Sequence, residues 1–158
     1  MLAKDKLVEV WASAETVDQD EVTRSNRLAK EWWDPKRKSR PTHRFNPVRR
    51  DYITSRLAHH SGRPLNRANN LSRLSILDVG CGAGLLCEPL AVKGARVVGI
   101  DAAVRNIEVA RWHAAQSSVS VNYRYCLAKQ LVETGERLDV VLNTQTIETY
   151  DECHTTAI

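Results

Sequence analysis

The stretch SILDVGCGAGLLCEPLAVKGARVVGID, residues 75–101, decides how this chain is read. An apolar run carries a single acid, Asp78, and leads into Gly80-Cys81-Gly82-Ala83-Gly84. A second apolar run ends in Asp101, twenty-one residues after Gly80. Strand, glycine turn, helix, strand, acid: that order is the first half of a nucleotide-binding α/β domain. Gly80 and Gly82 lack a Cβ, so the backbone there turns sharply and comes close to a ligand.

The spacing narrows the ligand. A dinucleotide fingerprint places its third glycine three residues after the second. Here Gly84 follows Gly82 by two, and Leu85 stands where that third glycine belongs. S-adenosylmethionine has no pyrophosphate to cradle, and an acid at Asp78 suits its cationic methionine end better than it suits phosphates. An acid at the end of the second strand, Asp101, accepts hydrogen bonds from both ribose hydroxyls. The pattern therefore predicts an S-adenosylmethionine site rather than a nicotinamide one.

Working outward, the sequence predicts strands at 75–80, 95–101, 119–125 and 138–144. Helices are predicted at 84–93, 104–116 and 128–134, with Pro89 kinking the first or shifting its start. The alternation predicts a parallel sheet with right-handed crossovers and a ligand beyond the carboxyl ends of its strands. Residues 1–73 divide off as an N-terminal helical, basic segment, and residues 74–158 as a partial α/β domain. In the N-terminal segment, a helix capped by Thr16 or Asp18 is expected to run to about Trp33, with Leu28 and Trp32 on one face. Asp34-Pro35 ends it. Residues 36–47 read as irregular, 47–59 as a second helix and 60–73 as a linker of turn formers.

The 158 residues fit one domain, and a hydrophobic content of 42% allows a buried core. Net charge is +4, unevenly placed. Residues 1–75 carry 16 Lys and Arg against 9 Asp and Glu, and between Lys36 and Arg73 the only acid is Asp51. Such a face meets phosphate or anionic lipid, or is simply solvated. With Phe45 and Tyr52 its only aromatics, it makes no base-stacking platform, and no nucleic-acid partner is expected. None of Cys81, Cys87, Cys126 and Cys153 is spaced as a zinc pair, and a disulfide in the glycine turn would distort it, so a reducing compartment fits best. No apolar run approaches a membrane span, and Asp5, Glu9 and Glu15 argue against a transit peptide. The expected location is the cytoplasm of a bacterium, with the matrix side of the mitochondrial inner membrane as the alternative.

Five segments together resemble the ubiquinone-biosynthesis O-methyltransferases: EWWDP (31–35), HRFNPVR (43–49), LDVGCGAGLLCEPLA (77–91), GARVVGIDAAVRNIEVAR (94–111) and LDVVLNTQTIE (138–148). The resemblance covers roughly residues 16 to 148. It implies a Rossmann-like class I methyltransferase fold that uses S-adenosylmethionine to methylate phenolic hydroxyls of polyprenylated quinol precursors. It also implies peripheral membrane contact, since such substrates are lipid-soluble. Carried across, Arg49, Gly80, Asp101 and Thr144 fall at the family's cofactor-contact positions. The catalytic residue stays unassigned.

Two departures qualify the resemblance. The family holds a divalent cation after its fourth strand with Glu, two others, Glu, His, a set suited to Mg²⁺. Here Gln145 replaces the first acid, Glu148 matches the second, and Thr149 replaces the imidazole. Glu148 is left as a weakened metal ligand or a solvent-facing acid. After Glu148 the sequence reads TYDECHTTAI, whereas the family continues through further strands. About four strands are therefore expected, the fourth an apolar edge at Val140-Val141-Leu142; the sequence reads as a piece of a longer protein, a decayed product or a chain that pairs with another, with marginal stability and a tendency to associate with itself or another chain expected. A non-catalytic remnant that at most binds the cofactor or a partner stands as the second reading. An RNA or protein methyltransferase and a nicotinamide oxidoreductase are weaker ones.

Overall fold

The computed structural model describes residues 29–36 and 40–144, together with Asp20, Thr23, Arg24 and Arg27. Those four are helical. A 3-10 turn follows at Ala29–Glu31, and Trp32 and Trp33 lie in a turn rather than on a helix face. The proposed caps Thr16 and Asp18, and Leu28, lie outside the described residues.

A long helix, α1 (Arg40–His60), precedes the α/β part. It starts seven residues earlier than the prolines suggested. Pro41 sits in its first turn, where backbone N–H groups have no helical acceptor, so the missing donor costs nothing. Pro47 is inside the helix and forfeits one backbone bond there.

The remaining elements are β1 (Ser75–Val79), α2 (Cys87–Val92), β2 (Arg96–Asp101), α3 (Val104–Gln116), β3 (Asn122–Tyr125), α4 (Ala128–Glu133) and β4 (Val140–Leu142). The strands form one parallel sheet in the order β3-β2-β1-β4. The chain lays β2 and β3 on one side of β1, then returns to place β4 on the other. Strand order reverses at β1, so the ligand crevice of such a sheet opens beyond its carboxyl end.

Every residue of β1 is buried, which a strand covered on both faces requires. Alternation along it divides the core. Ile76 joins Leu90, Val97, Ile107 and Ala110 on one face, and Leu77 and Val79 join Val98, Ile100 and Leu131 on the other. Helix α3 contributes Ile107, Ala110 and Ala114 at intervals of three and four, its inward stripe.

Helix α2 begins at Cys87, not at 84, because Gly82 and Gly84 hold positive φ (55° and 86°) and keep 80–86 in turns. Pro89 is then the third helical residue, where its missing N–H had no partner to lose. β4 is shorter than expected because Asp139, just before it, is occupied with Ser75. Asp139 Oδ2 accepts from the Ser75 N–H (2.7 Å) and hydroxyl (2.6 Å), and the Asp139 N–H donates to the Ser75 carbonyl (3.0 Å). This clasp sets the register in which Ile76 pairs with Val140. Val141 of β4 is 56% exposed.

Candidate cofactor site

The carboxyl end of β1 opens into a narrow cleft. α1 contributes Thr42, Asn46 and Arg49 to its wall, the strand and turn contribute Asp78, Gly80 and Gly82, and Trp32 and Thr144 complete it. Three of the four predicted cofactor contacts, Arg49, Gly80 and Thr144, are thus brought together from separate parts of the chain. The fourth, Asp101, stands alongside at the end of β2. Glu148, and with it Gln145 and Thr149, lies outside the described residues. Among the described residues, no group of three His, Cys, Asp or Glu is placed to hold a metal ion. No described helix is long and apolar enough to cross a membrane.

One carbonyl shapes the start of the turn. Ile100 O accepts from the N–H groups of both Gly80 (2.8 Å) and Cys81 (2.9 Å), which fixes the turn to the end of β2. The Asp101 carboxylate fixes the next part. Its Oδ2 accepts from the Gly82 N–H (2.9 Å), and its Oδ1 from the Ala103 N–H (2.7 Å) and Asn106 Nδ2 (3.2 Å). A carboxylate accepts about four hydrogen bonds, so Asp101 retains capacity for about one more. The sequence predicted an acid waiting for two ribose hydroxyls; the structure finds it already holding the turn and the start of α3. Burial raises its pKa, and its three N–H partners oppose the rise.

Asp78 is the other acid of the cleft. Burial pushes its carboxyl up to about 7, against the opposing effects of the Cys87 thiol and the Arg49 guanidinium. Cys87 Sγ–H donates to Asp78 Oδ2 at 3.3 Å. The carboxyl is therefore poised near neutrality, and a cation entering the cleft draws it into its charged form. Among the described residues, Cys81, Cys87 and Cys126 are free thiols.

Gly84 explains itself through a residue far away in the sequence. A Cβ there would come within 2.8 Å of Tyr123 Cζ, and one at Gly99 within 2.8 Å of Tyr123 Cδ1. The ring of Tyr123 fills a slot between the two glycines and is 3% exposed, and its hydroxyl has no hydrogen-bond partner.

The turn is also held from the N-terminal side, by contacts that sequence reading missed. Trp33 Nε1 donates to the Ala83 carbonyl (3.0 Å), and Asn46 Nδ2 to the Leu85 carbonyl (2.7 Å). Trp33 stacks flat on His113 of α3, with centroids 3.4 Å apart and planes at 1°. His113 Nδ1–H donates to the buried Glu88 carboxylate of α2 at 2.8 Å. Trp32 lies over Gly82, its Nε1 donating to Asn106 Oδ1 (2.8 Å), and so joins the Asp101 network. The available signal was the i, i+3 spacing of Asn46 and Arg49, which puts both on one helix face once α1 includes them.

A glycine turn between parallel strands, an acid at each strand end and a basic group facing them define a site for a small nucleotide-like cofactor. Residues 76–158 match the family described as "Methyltransferase domain", and the chain belongs to that family. It is 53% identical over 133 residues to the ubiquinone biosynthesis O-methyltransferase of Sinorhizobium medicae (strain WSM419), covering 84% of this chain and 54% of that protein. Against the protein of that name from Chelativorans sp. (strain BNC1), identity is 52%, with 84% and 53% covered. The chain spans about half the length of the curated relatives it matches. Among solved structures, magnesium protoporphyrin IX methyltransferase from Synechocystis PCC 6803 with bound SAM gives 26% identity and a TM-score of 0.47, covering 60% of this chain and 41% of that one.

Proposed function

We propose that this chain carries the S-adenosylmethionine site of an O-methyltransferase acting on phenolic hydroxyls of polyprenylated quinol precursors in ubiquinone biosynthesis. The observation that carries the cofactor assignment is the cleft joining Arg49, Asp78, Gly80 and Thr144 at the strand-order reversal, with Asp101 beside it. The substrate assignment rests on the names and identities of the relatives.

The bound cofactor would supply an already activated sulfonium methyl group. What remains for the chain is placement. Arg49 presents a planar fork suited to a carboxylate. Asp78 answers a cation. Gly80 offers backbone without a Cβ to obstruct approach, Asp101 takes a ribose hydroxyl with its remaining acceptor capacity, and Thr144 closes the cleft from the β4 side. Mg²⁺ has no assigned role in this reading, because Gln145 and Thr149 replace two of the family's three ligands. The same substitutions favour the second reading, a chain that binds the cofactor without transferring its methyl group. Peripheral contact with a bacterial inner membrane, from the cytoplasmic side, would follow from a lipid-soluble substrate.

Calorimetric titration with S-adenosylmethionine, repeated on Asp101→Ala, tests the cofactor reading. Wild-type binding weakened at least about tenfold in the variant supports it, that being the usual weight of hydrogen bonds to a charged group. No binding by folded wild-type protein refutes it. A methyl-transfer assay with a catechol-type quinol analogue then separates the two readings.

A further inference from the structure

Asn46 has one satisfied end and one orphaned end. A carbonyl can only accept, so the atom 2.7 Å from Leu85 O is the amide nitrogen, and the side-chain oxygen is the other atom. That oxygen, Asn46 Oδ1, is buried and has no hydrogen-bond partner. A buried acceptor without a donor is costly, because it has given up water for nothing. Asn46 belongs to the wall of the cleft that also holds Arg49 and Asp78. Asn46 and Arg49 are three residues apart on α1, one helical turn, and share a face. The cleft therefore carries a cation, a carboxyl and an unmet neutral acceptor, and the first and last come from the same turn of helix.

Building on the proposed cofactor reading, we infer that Asn46 Oδ1 accepts a hydrogen bond from the α-ammonium of the cofactor's amino-acid end. One turn of α1 then reads both charges of a zwitterion. Arg49 takes its carboxylate, and Asn46, together with Asp78, takes its ammonium. A neutral acceptor completes the ammonium's donors without adding a second buried anion beside Asp78. The Leu85 bond gives the arrangement its direction, since it holds the amide in the one orientation that leaves oxygen available.

The test compares ligands that differ at that end. S-adenosylhomocysteine carries the zwitterion; 5′-methylthioadenosine is the same nucleoside without it. Both are titrated calorimetrically into wild-type protein, Asn46→Ala and Asn46→Asp, with the thermal unfolding of each variant recorded. In Asn46→Ala, affinity for S-adenosylhomocysteine should fall about tenfold or more, the weight of a hydrogen bond to a charged group, while 5′-methylthioadenosine changes by less than about twofold. Asn46→Asp loses the donor to Leu85 but keeps an acceptor, so it should retain the preference for the zwitterionic ligand. Equal losses for both ligands in Asn46→Ala, or loss of the preference in Asn46→Asp, overturn the inference and leave Asn46 a brace for the turn. If folded wild-type protein binds neither nucleoside, the cofactor reading falls, and the inference falls with it.

Discussion

Gly84→Ala should destabilise this protein by about 2–5 kcal/mol, and the structure says from where. Its φ is +86°, outside the region open to residues with a Cβ. Left-handed backbone costs an ordinary residue about 1–2 kcal/mol. The new methyl would also overlap the Tyr123 hydroxyl outright and approach Cζ to 2.8 Å. Tyr123 has nowhere to go, because its other edge lies against Gly99. Overpacking of this kind costs about 1–3 kcal/mol. Set against a typical net stability of about 5–15 kcal/mol, the sum is a large fraction. Urea unfolding followed by far-UV circular dichroism measures it. At an m-value of about 2 kcal/mol/M, the midpoint should fall by about 1–2.5 M. Tyr123→Phe removes the overlapping oxygen, which is also an orphan, so alone it should be neutral or stabilising by up to about 1 kcal/mol. Combined with Gly84→Ala it should recover about 1 kcal/mol or more beyond additivity. A Gly84→Ala cost under about 0.5 kcal/mol, typical of surface changes, or strict additivity of the pair, would refute the slot.

Asp78 makes a pH prediction. Its folded pKa of about 7 lies above the ordinary 3.8, so between those values the folded state binds more protons than the unfolded one. Its contribution therefore erodes stability as pH rises from about 4 to 7. Asp78→Asn should raise the unfolding midpoint at pH 8 and change it little at pH 4; equal shifts at both would refute this. The clasp at Asp139 has the opposite sign. Its bonds to Ser75 lower its pKa, so the stability it adds is present above the ordinary carboxylate range and is lost as pH falls through the folded value. Asp139→Ala should speed amide exchange in β4 selectively, and unchanged exchange at Val140–Leu142 would contradict the role assigned to it.

The sheet was legible because its signals are local. Apolar runs ending in glycine or acid located β1 and β2 to within a residue, and α3 matched at both ends. Two helix starts were misplaced. α1 was expected from Pro47 and begins at Arg40, with Pro41 in its first turn and Pro47 absorbed inside it, and α2 was expected from 84 but waits until Cys87 because Gly82 and Gly84 hold positive φ. The site was legible as a set of types: an arginine, glycines and two acids. Their couplings were not, because each spans the chain. Nothing near Gly84 announces Tyr123, and nothing near Glu88 announces the His113–Trp33 stack. Asp101 was read as an acid at the end of β2 awaiting ribose hydroxyls, and its three N–H partners could be counted only once the turn had folded against it.

The two bonds that brace the glycine loop from the N-terminal side end on main-chain carbonyls, those of Ala83 and Leu85. A carbonyl is the same atom whatever side chain it carries. Neither bond therefore depends on which side chain stands at 83 or 85, two buried positions constrained by packing alone, while both bonds depend on Trp33 and Asn46. The instruction for the loop's shape is written 50 and 39 residues upstream of the atoms it shapes. A graft of residues 80–86 into another parallel sheet would carry the letters of the motif and leave its spelling rule behind.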